Sequence, residues 1–248
     1  MNDLSEKKEK VIKEFPTLGK ISDENFPKHI FIIPDGNRRF AKKNNRPSFW
    51  GHEKGFKVAI NLLRFFRPFP IKVVTLWGFS SDNWKRDETE IKNLMRIFGF
   101  IIDNYLDEIK EYDSRFVHLG RRDRLPKNLL EKIEKAEEET KDNKGQIVCL
   151  ALDFGGEDQN VRTATKAKEA NFDINEESIW KLRDTEGLIR SADLIFRTSE
   201  RRTSDIGFLN GKHSVLFFSE DKLFPEVTEK DLVEAISYYA QTKRNEGK

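Results

Sequence analysis

Residues 35–39, Asp35-Gly36-Asn37-Arg38-Arg39, place a carboxylate, a glycine, an amide and two guanidinium groups directly after a short apolar run. Glycine lets backbone N–H groups approach a ligand closely, and the first turn of a following helix offers further N–H donors to an anion. Arginine binds phosphate oxygens in a bidentate manner, and a carboxylate beside such arginines suits a divalent cation that bridges to the phosphate. The segment predicts a phosphate site; the alternative is that Asp35 caps a helix and both arginines are solvated.

Two further polar loops follow apolar runs. Residues 79–86 combine hydroxyl, acidic, amide, aromatic and cationic side chains: Phe79, Ser80, Ser81, Asp82, Asn83, Trp84, Lys85 and Arg86. Because exposed aromatic rings are costly, two of them in so polar a loop predict an apolar ligand; the alternative is a capped helix start with the Trp in the core. Residues 197–204 are cationic and hydroxylic, which suits a diphosphate that needs several fixed donors, or else a salt-bridged surface loop.

His52 opens a predicted helix within Gly51-His52-Glu53-Lys54-Gly55, where its imidazole could hydrogen-bond an anion. The second histidine of a zinc-type H-E-x-x-H motif is missing, and a lone histidine is more often structural. The sequence also contains no phosphate loop of the G-x-x-x-x-G-K-[S/T] type, no dinucleotide-type G-x-G-x-x-G and no G-x-S-x-G nucleophile elbow. Because these motifs are absent, the sequence does not match the usual nucleotide-binding proteins or serine hydrolases.

The elements that must position these loops alternate between strand-like and helix-like patterns. Apolar runs predict strands at about 28–33, 71–77, 115–119, 146–152, 192–197 and 215–218. Helical spacing predicts helices at about 52–66, 88–110, 126–140, 157–170, 175–183 and 228–243. This alternation predicts an α/β fold with a six-stranded, mainly parallel sheet flanked by helices. Ligands of such sheets bind beyond the carboxyl ends of strands, where all three polar loops fall.

Composition limits the class of protein. The 248 residues carry 45 Lys+Arg and 43 Asp+Glu, a formal net charge of +2, which excludes a generally basic nucleic-acid coat. The single cysteine excludes an intrachain disulfide, and no apolar run approaches the ~20 residues that cross a bilayer. Because the first residues are too charged to begin a signal peptide, we expect a cytoplasmic protein. Residues 1–27 are predicted to form an amphipathic lead-in, and 28–248 a single domain.

Together these motifs resemble the cis-prenyltransferases, the undecaprenyl and dehydrodolichyl diphosphate synthases. The resemblance is carried in order by "HIFIIPDGNRRFAK" at 29–42, Gly51-His52-x-x-Gly55, "TLWGFSSDNWKR" at 75–86 with Glu90, "DFGG" at 153–156 and "DLIFRTSERRTS" at 193–204. It implies a homodimer whose fold encloses a hydrophobic tunnel for the growing chain. It also implies condensation of isopentenyl diphosphate with an allylic diphosphate (farnesyl, geranylgeranyl or dimethylallyl) to a cis-prenyl diphosphate, with Mg²⁺.

The resemblance also implies roles for individual residues. Asp35 would hold Mg²⁺ and assist departure of the diphosphate, while Asn83 would help to remove a proton. The allylic diphosphate would be bound by Gly36, Asn37, Arg38, Arg39 and Phe40, with His52 contributing. The reacting ends would be positioned by Phe79, Ser80, Ser81, Asp82, Asn83, Trp84 and Arg86. Isopentenyl diphosphate would be bound by Arg197, Arg202 and Ser204.

The chain departs from the family pattern near its second substrate site. Val215 stands where the family carries a metal-binding Glu, and Glu220 lies a few residues away. These departures leave two alternatives open: a short-chain or irregular, lavandulyl-type synthase, or a non-catalytic partner subunit. The wide apolar arc of helix 88–110, with Phe65 and Phe66, predicts either a tunnel wall or ordinary core. Lack of a spanning helix also leaves room for peripheral contact with a membrane.

Overall fold

A computed structural model describes residues 2–243 of the chain, and within them six strands form one parallel sheet. The strands are β1 His29–Ile33, β2 Val73–Ser80, β3 Arg115–Leu119, β4 Ile147–Phe154, β5 Ala192–Thr198 and β6 Asn210–Ser219. Their order across the sheet is β3-β4-β2-β1-β5-β6. The predicted six-stranded α/β fold is thereby confirmed.

Eight α-helices precede, connect and follow these strands within the described residues. They are α1 Asn2–Glu14, α2 Asn37–Lys43, α3 Ser48–Phe66, α4 Glu88–Glu111, α5 Lys127–Thr140, α6 Gly156–Glu169, α7 Ser178–Lys181 and α8 Glu229–Gln241. No helix within residues 2–243 combines the length and the apolar character that a membrane span requires. The chain divides into two compact units, and the second consists of Thr75–Ser191 and Thr203–Asn210.

The first unit contains β1, β5 and β6, and its strand register positions the first polar loop. β1 and β5 run parallel with Ile33 opposite Arg197, so the ends of the two strands lie side by side. The start of β1 is held by Asp193, whose Oδ2 accepts hydrogen bonds from the backbone N–H groups of Lys28 (2.7 Å) and His29 (2.8 Å). All five β1 residues are buried, which explains their continuous apolar pattern.

An aromatic cluster forms part of the core of the first unit. Phe65 packs edge-on against Phe15 (6.3 Å between ring centroids) and Phe66 (5.8 Å), and it also contacts Phe69. Phe26 stacks on Phe69 at 5.4 Å. Core packing, rather than the tunnel wall, therefore accounts for Phe65 and Phe66.

The second unit is built on β3 and β4, which run parallel with Phe116 opposite Val148. Cys149 in β4 is fully buried, and burial raises the pKa of its thiol to about 12. His118 in β3 is buried as well, and its Nε2 lies 3.1 Å from the Leu152 carbonyl oxygen. The Cys149 thiol and the His118 imidazole are thus both shielded from water.

Helix α4 covers this part of the sheet with one apolar face. A Cβ on Gly78 would lie 2.8 Å from both Phe98 of α4 and Leu152 of β4, so glycine permits close packing at this point. Phe100, which belongs to the apolar arc of this helix in the sequence, is 64% exposed and lies outside the buried face. The buried face consists of Leu94, Met95, Phe98, Gly99, Ile102 and Leu106.

The bounds of α7 and β6 differ from the sequence-based prediction for a physical reason. The helix predicted at 175–183 shrinks to α7, because the Asn175 Oδ1 accepts hydrogen bonds from the N–H groups of Glu177 and Ser178 and ends the preceding loop as a cap. β6 begins five residues earlier than its apolar run, at Asn210. The first half of β6 is polar, and backbone pairing leaves no apolar pattern in the sequence from which a strand could be predicted.

Candidate active site

The turn after β1 presents the Asp35 carboxylate. Gly36 adopts a left-handed conformation (φ 102°), and a Cβ there would lie 2.4 Å from the Ser199 Oγ, so the turn requires glycine. The backbone oxygen of Asp35 accepts hydrogen bonds from Thr198 Oγ1 (2.7 Å) and from the N–H of Phe224 (2.9 Å). The backbone at Asp35 is therefore fastened from two directions, with its side chain 28% exposed.

Two arginines contact this carboxylate. Its Oδ1 accepts hydrogen bonds from the Gly36 N–H (2.6 Å) and from Arg39 Nη2 (3.0 Å), and its Oδ2 accepts one from Arg197 Nη2 (2.9 Å). Arg197 is only 2% exposed, whereas Arg39 is 47% exposed. A buried arginine that reaches a half-buried carboxylate holds that carboxylate in one orientation.

Glu200 joins the two predicted substrate loops, although the sequence analysis gave it no role. Its carboxylate accepts hydrogen bonds from Arg39 (3.2 Å), Arg197 (2.9 Å) and Arg202 Nε (2.6 Å). We call Arg39, Arg197 and Arg202, with Asp35 and Glu200, the guanidinium cluster. Three cations gathered around two carboxylates leave one net positive charge, an arrangement suited to a multiply charged anion. The only sequence signal was an acid inside a cationic loop.

Asn37 supports the turn instead of facing solvent. Its Nδ2 donates to the Pro34 carbonyl oxygen (2.8 Å), while its Oδ1 is buried and makes no hydrogen bond to the described residues. A Cβ on Gly55 would lie 2.1 Å from that Oδ1, and one on Gly51 2.1 Å from the Asn37 carbonyl oxygen. The two glycines of the G-H-x-x-G motif thus make room for Asn37. Its contact with a diphosphate stays a prediction.

The remaining predicted residues of this loop lie around α2 and α3. Arg38 is exposed, and Phe40 stacks on Trp50 with 5.3 Å between ring centroids. His52 lies in the first turns of α3, between the two glycines, and is 9% exposed. The structure gathers Asp35, Arg39, Arg197 and Arg202 into one cluster. Arg38 and Phe40 lie on α2, and His52 lies on α3.

In the second unit, the loop after β2 is a capped 3₁₀ turn over Ser81–Lys85. Asn83 Oδ1 accepts a hydrogen bond from the Ser80 N–H (3.2 Å), and the Ser80 side chain accepts one from the Asn83 N–H. The predicted proton-removing amide therefore also serves as a structural cap. Asp82 pairs with Lys85 at 2.6 Å, and both are well exposed.

The aromatic residues of this loop are less exposed than the sequence suggested. Phe79 is 1% exposed and packs edge-on against Trp84, 5.1 Å away. Arg124 lies over the Trp84 ring at 5.8 Å, and Arg86 pairs with Glu90 at 3.1 Å. The prediction of two exposed rings was wrong for Phe79, because its position in β2 directs it into the core. The Ser81 Oγ and the Trp84 Nε1 are buried and make no hydrogen bond to the described residues.

The Asp-Phe-Gly-Gly motif serves as a seat for residues 203–207. Gly156 N–H donates to the Asp205 carbonyl oxygen (2.9 Å), and the Glu157 N–H donates to Asp205 Oδ1 (3.0 Å). A Cβ on Gly156 would lie 2.3 Å from the Gly207 Cα, so only glycine allows this approach. Burial raises the pKa of the Asp205 carboxyl group. Ser204, next to it, is exposed with a φ of 58°.

Mg²⁺ suits Asp35 by donor chemistry. Within residues 2–243 no three His, Cys, Asp or Glu side chains group as a metal site. Mg²⁺, however, usually binds through one or two carboxylates together with substrate phosphates, and Asp35 offers a partly exposed carboxylate beside arginines. Val215 is buried, and Glu220 lies 3.8 Å from Arg201 with 54% of its side chain exposed. Val215 offers no oxygen ligand in its side chain, whereas Asp35 does.

Comparison with known proteins places this geometry among relatives. The prenyltransferase family model for undecaprenyl diphosphate synthases matches residues 33–247. The chain is 37% identical to an isoprenyl transferase of Streptococcus pneumoniae over 97% of each chain. A solved lavandulyl diphosphate synthase from Lavandula x intermedia, in complex with dimethylallyl diphosphate, is similar with a TM-score of 0.85 and 30% identity over 91% of this chain and 100% of its own. A probable undecaprenyl diphosphate synthase from Campylobacter jejuni gives a TM-score of 0.75 and 27% identity, over 90% and 99%.

Proposed function

Because the chain belongs to the undecaprenyl diphosphate synthase family of prenyltransferases, we propose that it condenses isopentenyl diphosphate with an allylic diphosphate to give a cis-prenyl diphosphate. The observation that carries this proposal is the guanidinium cluster at the carboxyl ends of β1 and β5. Ligands of parallel sheets bind at such ends, and planar guanidinium groups match diphosphate oxygens. The Asp35 carboxylate beside them would be the ligand of a divalent cation at the same site.

The allylic diphosphate is assigned to Arg38, Arg39 and the turn at Gly36. When the ester bond to the allylic carbon breaks, negative charge develops on the departing diphosphate, and fixed cations nearby stabilise it. Mg²⁺ held by Asp35 would neutralise part of the same charge. Asn37 also fastens the turn, and Asn37, Phe40 and His52 remain proposed contacts of the substrate.

Isopentenyl diphosphate is assigned to Arg197, Arg202 and Ser204. Arg197 and Arg202 already converge on one carboxylate, Glu200, which indicates that their guanidinium groups can reach a common anion. Ser204 is exposed and carries a hydroxyl group. The double bond of this substrate attacks the allylic carbon, and loss of a proton then forms the cis alkene.

The loop after β2 is proposed to position the reacting ends. Its candidates are Phe79, Ser80, Ser81, Asp82, Asn83, Trp84 and Arg86. Support comes from the buried Ser81 Oγ and Trp84 Nε1, two polar atoms with no hydrogen-bond partner among the described residues. The cap at Asn83 leaves its Nδ2 to meet a substrate. Family membership is the basis for the rest of the proposal. It comprises a hydrophobic tunnel, a homodimer, a cytoplasmic location and peripheral membrane contact.

One experiment tests the proposed reaction. Purified protein is incubated with Mg²⁺, radiolabelled isopentenyl diphosphate and dimethylallyl, farnesyl or geranylgeranyl diphosphate. We expect chain-extended, cis-linked product. Product from dimethylallyl diphosphate alone would instead establish an irregular coupling enzyme, and diphosphate binding without turnover would establish a non-catalytic subunit.

Asp35→Ala is expected to lower turnover by at least about 100-fold, because the departing diphosphate loses the carboxylate that orients its cations. The matched control is Asp103→Ala, since Asp103 is an exposed acid paired with Lys132 on the surface. Circular dichroism of both variants reports the fold. Full activity of Asp35→Ala would refute the assigned role.

A further inference from the structure

The positive charge of this protein is concentrated in one segment. Residues 37–57 contain seven basic residues and one acidic residue, a formal net charge of +6 in a chain whose total is +2. The rest of the chain therefore sums to −4. The segment comprises α2, its loop and the first half of α3, all within the first unit. Such asymmetry produces a local positive potential in a nearly neutral protein.

The basic side chains of this segment lie at the surface. Lys42, Arg46 and Lys54 are all exposed. Lys43 is 65% exposed and pairs with Glu226 at 2.7 Å, so its charge is partly neutralised. Lys54 Nζ lies 5.3 Å from the centroid of the Trp50 ring. The cations are long, flexible side chains around an aromatic base, and they do not converge on one point.

An exposed phenylalanine lies among these cations. Phe49, in the first turn of α3, is 44% exposed. Next to it in sequence, Trp50 stacks on Phe40 with an interplanar angle of 3°, which gives the segment a rigid aromatic support. Leaving part of a large apolar ring in water costs free energy that contact with an apolar phase would recover. We call Lys42, Arg46, Phe49 and Lys54 the α2–α3 patch.

We propose that the α2–α3 patch docks on an anionic lipid bilayer, with Phe49 entering the headgroup region and the cations contacting lipid phosphates. This proposal assigns a surface to the peripheral membrane contact named under the proposed function. Only the purpose of the docking, delivery of an insoluble product, rests on that function. Clustered basic residues with an interfacial aromatic are the features that bind such surfaces. A free diphosphate is the less suitable occupant, because it needs fixed, convergent donors and has no use for an exposed ring.

Vesicle sedimentation tests the proposal. The full chain is mixed with vesicles of phosphatidylcholine alone or of phosphatidylcholine with phosphatidylglycerol. We expect binding to the anionic vesicles only, decreasing as salt is raised. The double variant Lys42→Glu/Lys54→Glu should lower the partition coefficient at least about tenfold, and Phe49→Ser should lower it several-fold.

Matched controls come from the second unit. Lys127→Glu/Lys135→Glu reverses two exposed charges on α5, and Phe100→Ser removes an exposed ring on α4. Both should bind as the parent does. Equal loss of binding in these controls, binding to neutral vesicles alone, or absence of vesicle binding would overturn the proposal.

Two further experiments distinguish lipid docking from binding of a soluble diphosphate and from the proposed reaction. Displacement from vesicles by inorganic pyrophosphate, but not by sulfate of the same ionic strength, would reassign the patch to a soluble diphosphate. Turnover with detergent-dispersed substrates should be unchanged in Lys42→Glu/Lys54→Glu. Vesicle binding without any turnover in the parent protein would overturn only the proposed reaction, and turnover without vesicle binding only the docking surface.

Discussion

Glu200 shares its carboxylate among three guanidinium groups, one of which belongs to the buried Arg197. Arg197 donates hydrogen bonds to both Asp35 and Glu200, so the two acids together neutralise a charge that has little contact with water. At the residue scale, the acids of the cluster therefore hold the arginines in place as much as they could contact a substrate cation.

Removal of the Glu200 charge is expected to destabilise the protein. Glu200→Gln should lower the free energy of unfolding by about 1–3 kcal/mol, because a buried guanidinium loses one of its two carboxylates. Urea denaturation measures this change. The control is Glu220→Gln, whose partner Arg201 is 75% exposed at 3.8 Å, and a surface pair of this kind contributes less than about 1 kcal/mol. Equal effects in the two variants would contradict the claim that the Glu200 charge stabilises the buried Arg197.

At the scale of elements, α3 is fitted to the β1–α2 turn through its glycines. Gly55 leaves the space that the Asn37 amide fills, and Gly51 leaves space for the Asn37 backbone. The G-H-x-x-G motif, in which the sequence suggested an anion contact for His52, thus also serves helix-to-turn packing.

A double-mutant cycle tests this contact. Gly55→Ala should destabilise the protein by about 1–3 kcal/mol, because the new Cβ overlaps the Asn37 Oδ1. In an Asn37→Ala background the same substitution should cost at least about 1 kcal/mol less, since the obstructing oxygen is gone. Gly99→Ala on α4 is the control: its Cβ meets only Lys132 at 3.4 Å, and alanine should stabilise that helix slightly. Additive effects of the two substitutions would exclude the contact.

Strands and helices were predictable because apolar runs and helical spacing report burial directly. The run at 28–33 became β1, and the arc at 88–110 became α4, with Phe100 outside the buried face. Contacts made through space carried no such signal. The seat that Gly156 provides for Gly207 and the gathering of arginines around Glu200 depend on residues distant in sequence. The residue types of the site could be predicted from the sequence, but the residues that each of them contacts could not.

At the scale of the whole molecule, buried ionisable groups make stability depend on pH. Burial lowers the pKa of His118 from an ordinary value of 6.5 to about 4. In the unfolded chain this histidine gains a proton below about pH 6.5, whereas in the folded chain it stays neutral until about pH 4. Its contribution is therefore complete above pH 6.5 and is lost progressively as the pH falls toward 4.

This linkage gives a measurable prediction. Between pH 7 and pH 5 the parent protein should lose about 2 kcal/mol of unfolding free energy from His118 alone. His118→Gln should lower stability at pH 7 but lose less of it on acidification. The exposed His213→Gln serves as the control and should follow the parent. Identical pH dependence of His118→Gln and the parent would refute this role for the buried imidazole.

The sole cysteine has a practical consequence for studies in solution. Cys149 lies fully inside β4, with its thiol kept protonated at neutral pH, so alkylating dyes will not modify it while the protein is folded. A cysteine introduced at position 49 would then be the single labelling site, with no need to delete the native one. An environment-sensitive fluorophore attached there would report directly whether that position leaves water when vesicles are added.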